Sequence, residues 1–271
     1  MKLGDFKVHR LGFGAMRVCG PDIWGEPKDR EAAKHVLRRA FELGHNFFDT
    51  ADSYGPGVSE QLIAEALHPY PEGLVIGTKG GLLRPHRHAW VPDGQPAHLR
   101  AALDGSLKRL RLDRIDLYQL HAPDPRVPFA DSVGALAEMQ RAGKIRHVGL
   151  SNVGVAQLND ARRIVPIVSV QNCYNLQDRS SEDVLRACEK LGIAFLPWYP
   201  LNAGAALRSR VIRKIAAQHR ATPAQVALAW LLAKSTVMLP IPGTGSMAHL
   251  EENAAASKLT LSVEDMAALS G

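Results

Sequence analysis

The chain has 271 residues, 46% of them hydrophobic, with 33 Lys and Arg against 27 Asp and Glu for a net charge of +6. That length and apolar content can bury a large core, and they exclude a disordered or fibrous chain. The positive surplus is modest and diffuse, which suits attraction of an anionic ligand but is a poor nucleic-acid signature.

Short apolar runs alternate with amphipathic stretches along the chain. KLGDFKVHRLGFG reads as a hairpin turning near Gly4 and Asp5, leading into a first core strand. DREAAKHVLRRAFELG predicts a helix ending at Gly44, and an apolar run ending at Asp49 follows. SEQLIAEALH is the next helix, GLVIGTKGG a strand, PAHLRAALDGSLKRLRL a helix and RIDLYQLH a strand. FADSVGALAEMQRAG is a helix, IRHVGLSN a strand, and VAQLNDARRI and SSEDVLRACEKLG are helices flanking the strand IVSVQNCYN. IAFLPWYP, the paired helices RVIRKIAAQHR and PAQVALAWLLAKS, and TVMLPIPG come next, and MAHLEENAAAS and SVEDMAALS close with helix.

About eight strands, each followed by helix, predict a (β/α)8 TIM barrel with an N-terminal β-hairpin and extra C-terminal helices. A doubly wound open sheet shares the alternation and is the competing architecture. No composition break or linker splits the chain, so residues 1–271 are expected to form one domain. No run approaches eighteen apolar residues, and the first residues lack a secretory apolar stretch, so no membrane partner is expected. Cys19, Cys173 and Cys188 show no CxxC spacing, which fits a reducing, cytoplasmic setting. No apolar interface stripe is evident, so a monomer is expected.

In such a barrel, chemistry belongs where strands end and βα loops begin. One predicted strand ends in Asp49, with Asp52 and Tyr54 in the loop behind it; the next ends in Lys79 and the next in His121. The two after these end in Ser151-Asn152 and Gln171-Asn172. No metal-ligand cluster appears among them. A buried unpaired charge costs several kcal/mol on any scale, so Asp49 and Lys79 must be paired or solvated; a structural ion pair at the barrel mouth is the bland alternative. Tyr is a poor acid near neutral pH unless its phenolate is stabilised, and a Lys ammonium nearby would lower its pKa. An Asp would hold that Lys charged, and a His opposite would hydrogen-bond a substrate oxygen. Asp49, Tyr54, Lys79 and His121 would then deliver a proton to a carbonyl becoming an alcohol. Nothing among them supplies a hydride, so a cofactor is required.

NFFDTADSYG, IGTKGG, YQLHAPDP, VGLSN and VQNCYN, in this order, resemble the aldo-keto reductase superfamily across nearly the entire chain. The resemblance implies that Tyr54 is the proton donor, that Lys79 and Asp49 tune it, and that His121 orients the carbonyl. It further implies that Ser151, Asn152 and Gln171 hold a nicotinamide carboxamide and that Trp198 stacks on its ring, against the alternative of a core aromatic.

Two late loops add a physical argument for the cofactor. PWYPLNAG, bringing Tyr199, Pro200 and Leu201, follows the seventh strand, and IPGTGSMAHLEEN follows the eighth, the usual phosphate site of this barrel. Gly243 and Gly245 allow close approach of backbone, and Thr244 or Ser246 can cap the following helix, whose N-terminus favours an anion. The resemblance places Thr244 and His249 near the adenosine phosphate, and Glu252 and Asn253 near the adenine. Many family members carry Lys at the position of Gly243 and Arg at that of His249. NADPH is the expected cofactor, with NADH possible, because a neutral His is a weaker phosphate clamp than a guanidinium. The GxG in GFGAMR continues with Arg17 instead of a third Gly and is better explained as the first barrel strand.

The remaining loops would meet the substrate. CGPDIWGEPKDR brings Trp24 and LLRPHRHAWVPDGQP brings Trp90, either lining an aromatic pocket or simply packing. GAMRVCGPDIWGEPKDR and IPGTGSMAHLEENAAA are similar to the bacterial pyridoxal reductase (pyridoxine 4-dehydrogenase) branch, which implies a small-molecule carbonyl substrate such as pyridoxal or another aromatic aldehyde. A non-redox barrel isomerase, and a cofactor-binding regulatory protein with little turnover, are the competing functions.

Overall fold

The computed structural model describes residues 1–204 and 209–270. The N-terminal hairpin forms as expected, with β1 (Lys2–Leu3) antiparallel to β2 (Phe6–Lys7). The barrel wall begins with β3 (Phe13–Gly14), β4 (Phe47–Asp49) and β5 (Val75–Gly80). A short antiparallel pair within the stretch LLRPHRHAWVPDGQP, β6 (Leu82–Leu83) and β7 (Val91–Pro92), then interrupts the alternation. The wall resumes with β8 (Ile115–Leu120), β9 (Ile145–Ser151), β10 (Ile167–Cys173) and β11 (Ala194–Trp198). All neighbours in this seven-stranded sheet are parallel, and β5 pairs directly with β8.

Residues 237–242 supply the eighth stave and close the barrel, which removes the open-sheet alternative. On one side Phe195 N donates to Val237 O at 2.9 Å and Leu239 N donates to Phe195 O at 2.8 Å. On the other, Gly12 N donates to Pro240 O at 2.9 Å and Gly14 N to Pro242 O at 3.3 Å. Pro240 and Pro242 have no N–H to return, so this stave offers carbonyls to the β3 side without forming a full ladder.

The helices on the outside are α1 (Arg30–Glu42), α2 (Val58–Leu67), α3 (Pro96–Leu110), α4 (Phe129–Arg141) and α5 (Val155–Arg162). They continue with α6 (Glu182–Leu191), α7 (Arg210–Gln218), α8 (Pro223–Lys234), α9 (Met247–Ala255) and α10 (Val263–Ser270). In α1 the Asp29 side chain caps Ala32 N, and Ala33, Val36, Leu37 and Ala40 form the buried stripe expected of a one-sided helix. No helix among the described residues is long and apolar enough to cross a membrane.

Side chains alternate across each strand, and that alternation sorts the core into two parts. Phe48, Ile76, Tyr118 and Val170 point outward into the layer between sheet and helices. Phe47, Val75, Leu117, Leu196, Leu239 and Ile241 fill the barrel interior, plugged at the bottom by Leu3 and Val8 of the hairpin region. Continuing the same inward-facing period, Asp49 and Gln119 come two residues beyond Phe47 and Leu117, and Lys79 comes four beyond Val75. The same period that packs the floor therefore puts a polar layer above it.

Where the eighth stave meets β3, backbone passes backbone without room for side chains. A methyl added at Gly243 would stand 2.5 Å from Gly14 O, and one added at Gly14 would stand 2.5 Å from Ile241 O. A side chain at Gly243 would therefore force the backbone of the seam to shift. Gly243→Ala is expected to cost about 1–3 kcal/mol through overpacking, read as a lower thermal midpoint; an unchanged midpoint would show that the seam can open freely.

Candidate active site

At the centre of the polar layer, Lys79 has no solvent exposure and Asp49 is nearly as buried. Lys79 Nζ donates to Asp49 Oδ2 at 2.7 Å, to Thr50 O at 2.8 Å and to Tyr54 Oη at 3.4 Å. The second Asp49 oxygen, Oδ1, accepts from Gln171 Nε2 at 2.8 Å and from Gln119 Nε2 at 3.1 Å. Burial is the largest influence on Lys79 and pulls its pKa down, yet the Asp49 carboxylate and Tyr54 outweigh it, so the amine is held above its ordinary value and stays charged. Tyr54 departs from the expectation of a lowered pKa. Burial pushes the phenol up, the Lys79 ammonium only partly offsets this, and Tyr54 remains protonated.

His121, at the end of β8, sits with its ring edge-on to Tyr54, centroids 5.8 Å apart. Ser53 Oγ lies 3.3 Å from His121 Nδ1, which leaves Nε2 available to a ligand. Burial first and the Lys79 charge second hold His121 well below its ordinary pKa, so the imidazole is neutral. Behind it, Asn152 adopts a left-handed backbone (φ 59°). Its Nδ2 donates to His121 O at 3.0 Å and Ser151 Oγ at 3.1 Å, and its Oδ1 accepts from Trp198 Nε1 at 3.0 Å. Ser151, Asn152, Gln171 and Trp198, which come from three neighbouring strands, are therefore brought together.

A cavity of about 480 Å³ opens above this layer. Asp49, Tyr54, Gln171, Trp198, Tyr199, Pro200 and Leu201 line one end of it, and Gly243, Thr244, His249, Glu252 and Asn253 line the other. Lys79, His121, Ser151 and Asn152 do not reach its lining. Ser246, not Thr244, caps α9, accepting from His249 N at 3.4 Å, while Thr244 Oγ1 accepts from Ser246 N at 2.9 Å. A larger groove of about 750 Å³ lies at the opposite end of the barrel, around Val8, His9 and Asn46, away from the ion pair.

Trp24 and Trp90 lie outside the lining of this 480 Å³ cavity and pack on the Arg84 guanidinium, 5.3 and 3.8 Å from it. Trp90 still approaches the site, edge-on to Tyr54 at 6.4 Å between centroids. Three contributors went unnoticed in the sequence. Gln119 precedes His121 by two residues on β8, so strand alternation could have found it. Ser53 carried no signal beyond its place in the loop. Arg17 lines the cavity as the one guanidinium among its described residues.

The Aldo/keto reductase family model matches residues 10–271. The chain belongs to this family of carbonyl–alcohol oxidoreductases. It is 46% identical over 275 residues to pyridoxine 4-dehydrogenase of Escherichia coli, covering 99% of this chain and 96% of that protein. It is 50% identical over 270 residues to an uncharacterized oxidoreductase of Schizosaccharomyces pombe, covering 99% of this chain and 88% of that one. Among solved structures, an aldo-keto reductase from Klebsiella pneumoniae in complex with NADPH superposes with a TM-score of 0.84 at 28% identity, over 97% of this chain and 90% of that chain.

Asp52, in the loop after β4, has its Oδ1 buried and without a hydrogen-bond partner among the described residues. Burial first, and the Glu60 carboxylate second, push its pKa from 3.8 up to about 7. Between those values the folded chain holds a proton that the unfolded chain has lost, so stability falls as pH rises through the window. Asp52→Asn cannot lose that proton. It should be more stable than the parent by about 1–3 kcal/mol at pH 8 and little different near pH 4, as measured by urea unfolding at both pH values. Equal differences at the two values would place the ionisation of Asp52 outside the window.

Proposed function

We propose that this chain is an NADPH-dependent aldo-keto reductase that reduces an aldehyde or ketone to an alcohol, with pyridoxal or another aromatic aldehyde as its substrate. One observation carries the reading: a charged Lys79, held by Asp49, touches a protonated Tyr54 on the lining of a large cavity. A buried ammonium beside a phenol stabilises the phenolate left when the proton departs, which is what a general acid for a carbonyl needs. Neutral His121, with Nδ1 engaged by Ser53, offers Nε2–H to the same carbonyl oxygen. A structural ion pair alone would not need a phenol and a neutral imidazole facing each other beside it.

The cavity suits a nicotinamide dinucleotide. Its far end meets the Ser246-capped start of α9, and Arg17 supplies a cation for phosphates there. Thr244 and His249 would contact the adenosine phosphate, Glu252 and Asn253 the adenine, and Tyr199, Pro200, Leu201 and Gly243 the stretch between. Ser151, Asn152 and Gln171 would hold the carboxamide, with Trp198 against the ring. When bound, the cofactor supplies the hydride. NADPH is preferred to NADH in this reading on the strength of the NADPH-bound relative and of Arg17, although Gly243 brings no charge. Pyridoxal is supported by the likeness to pyridoxine 4-dehydrogenase.

The test is loss of nicotinamide absorbance with NADPH and NADH against pyridoxal and a panel of aromatic aldehydes. Oxidation that requires both protein and aldehyde, faster with NADPH, is the expected result; none with any carbonyl would overturn the reading. Tyr54→Phe should fold, keep its NADPH affinity and lose about 10²–10⁴-fold in kcat, the usual contribution of general acid catalysis. Near-normal turnover in that variant would remove Tyr54 from the chemistry.

A further inference from the structure

The loop after β3 contains a turn that its residues alone would not choose. Asp22 and Ile23 both sit in the left-handed region at φ 59°, and for a β-branched residue such as Ile23 that conformation is a true outlier. The carbonyls of these two residues are bound by one side chain from a different loop. Arg84 Nη2 donates to Asp22 O at 3.2 Å, and Nη1 donates to Ile23 O at 3.1 Å. Nη1 also reaches Ser53 O at 3.5 Å in the loop after β4, and Nη2 donates to Arg87 O in the loop after β5.

Arg84 is only 8% exposed, yet no carboxylate pairs with it. Asp22, the acid nearest in sequence to the turn, pairs with Arg87 instead, at 3.3 Å. The guanidinium is kept by carbonyl dipoles around its edge and by indole rings over it, Trp90 at 3.8 Å and Trp24 at 5.3 Å. A planar cation with donors in a fixed fork can serve three backbone segments and two aromatic rings at once; a lysine cannot. Trp90 then continues the chain of contacts to Tyr54.

We propose that Arg84 is a positioning residue: it locks the loops after the first three barrel strands together and fixes Trp90 as an aromatic wall beside Tyr54, so that the site prefers flat aromatic carbonyls to small aliphatic ones. The preference rests on the reading of Tyr54 as the proton donor; the lock does not. Arg84 is engaged with loop carbonyls and indole rings and makes none of the proposed cofactor contacts, so NADPH affinity is expected to survive its loss.

Arg84→Met keeps the aliphatic stem and removes every donor, while Arg84→Lys keeps the charge without the fork. Hydrogen exchange is measured on residues 20–25 and 85–92, together with NADPH affinity and kcat and KM for benzaldehyde and propanal. In Arg84→Met, exchange in both loops should rise by about tenfold or more, as for a local opening made easier. The benzaldehyde-to-propanal ratio of kcat/KM should fall about three- to tenfold, the worth of one aromatic pair, through KM, with NADPH affinity unchanged. Arg84→Lys should not restore the ratio. Unaltered loop exchange in Arg84→Met overturns the lock, and an unaltered ratio beside raised exchange overturns the selectivity. If Arg84→Met fails to fold, Trp90→Leu decides the selectivity, since it removes the wall without cutting the loops: an unaltered ratio there overturns it. A wild type that reduces neither aldehyde overturns the reading of the site instead, and loop exchange alone then judges the lock.

Discussion

A lysine ammonium without any exposure to solvent, 2.7 Å from a buried aspartate inside the barrel, is the constraint on which the rest depends. Two such charges cost several kcal/mol each to desolvate, and removing one partner from a buried pair typically costs about 3–5 kcal/mol. The barrel answers with a full set of partners: two side-chain amides on one oxygen of Asp49, Lys79 on the other, and Thr50 O and Tyr54 Oη on the ammonium. Within this network both charged groups are satisfied, while Gln119 Oε1 is buried without a partner among the described residues. Here Asp49 comes from β4, Lys79 from β5, Gln119 from β8 and Gln171 from β10, so the registers of four strands are tied to one carboxylate.

That arrangement also separates the two neutral groups from the two charged ones. Lys79 remains an ammonium because its partners outweigh its burial, whereas Tyr54 and His121 are held protonated and neutral, respectively, because burial prevails. In the proposed reaction, a phenol that does not ionise freely and an imidazole that does not become a cation would both serve as hydrogen-bond donors toward the carbonyl oxygen. The Lys79 charge stays beneath them, without exposure to solvent. Backbone contacts at the other end of the cavity are equally tight: Gly14 and Gly243 approach so closely that no side chain fits between them.

Much of this was legible from periodicity and from where polar residues interrupt it. The run Phe47-Phe48-Asp49 alternates inward, outward, inward, and the same rule put Lys79 and His121 at strand ends beside it. Other features had no local signal. Gln119 shares its strand face with His121, but a buried amide looks like any polar residue until its acceptor is known. Arg84 sits among Arg87, His86 and His88, a cluster that reads as solvated loop, and only the fold brings the carbonyls of Asp22, Ile23 and Ser53 around it. Charge proximity alone suggested that Lys79 would lower the pKa of Tyr54; burial, which a sequence does not display, reversed the net direction. The eighth stave was found by its apolar run, whereas its carbonyl-only edge toward β3 follows from Pro240 and Pro242 meeting Gly12 and Gly14.

The central claim is that Asp49 acts on Tyr54 through Lys79, not independently. A double-mutant cycle on kcat/KM for NADPH-dependent aldehyde reduction, with Asp49→Asn, Lys79→Met and both together, tests it most directly. Residues that act as a unit give strongly non-additive losses, so the double variant should be no slower than Lys79→Met alone. Losses that multiply would mean that Asp49 and Lys79 contribute separately, and the account of a single relayed charge would be wrong.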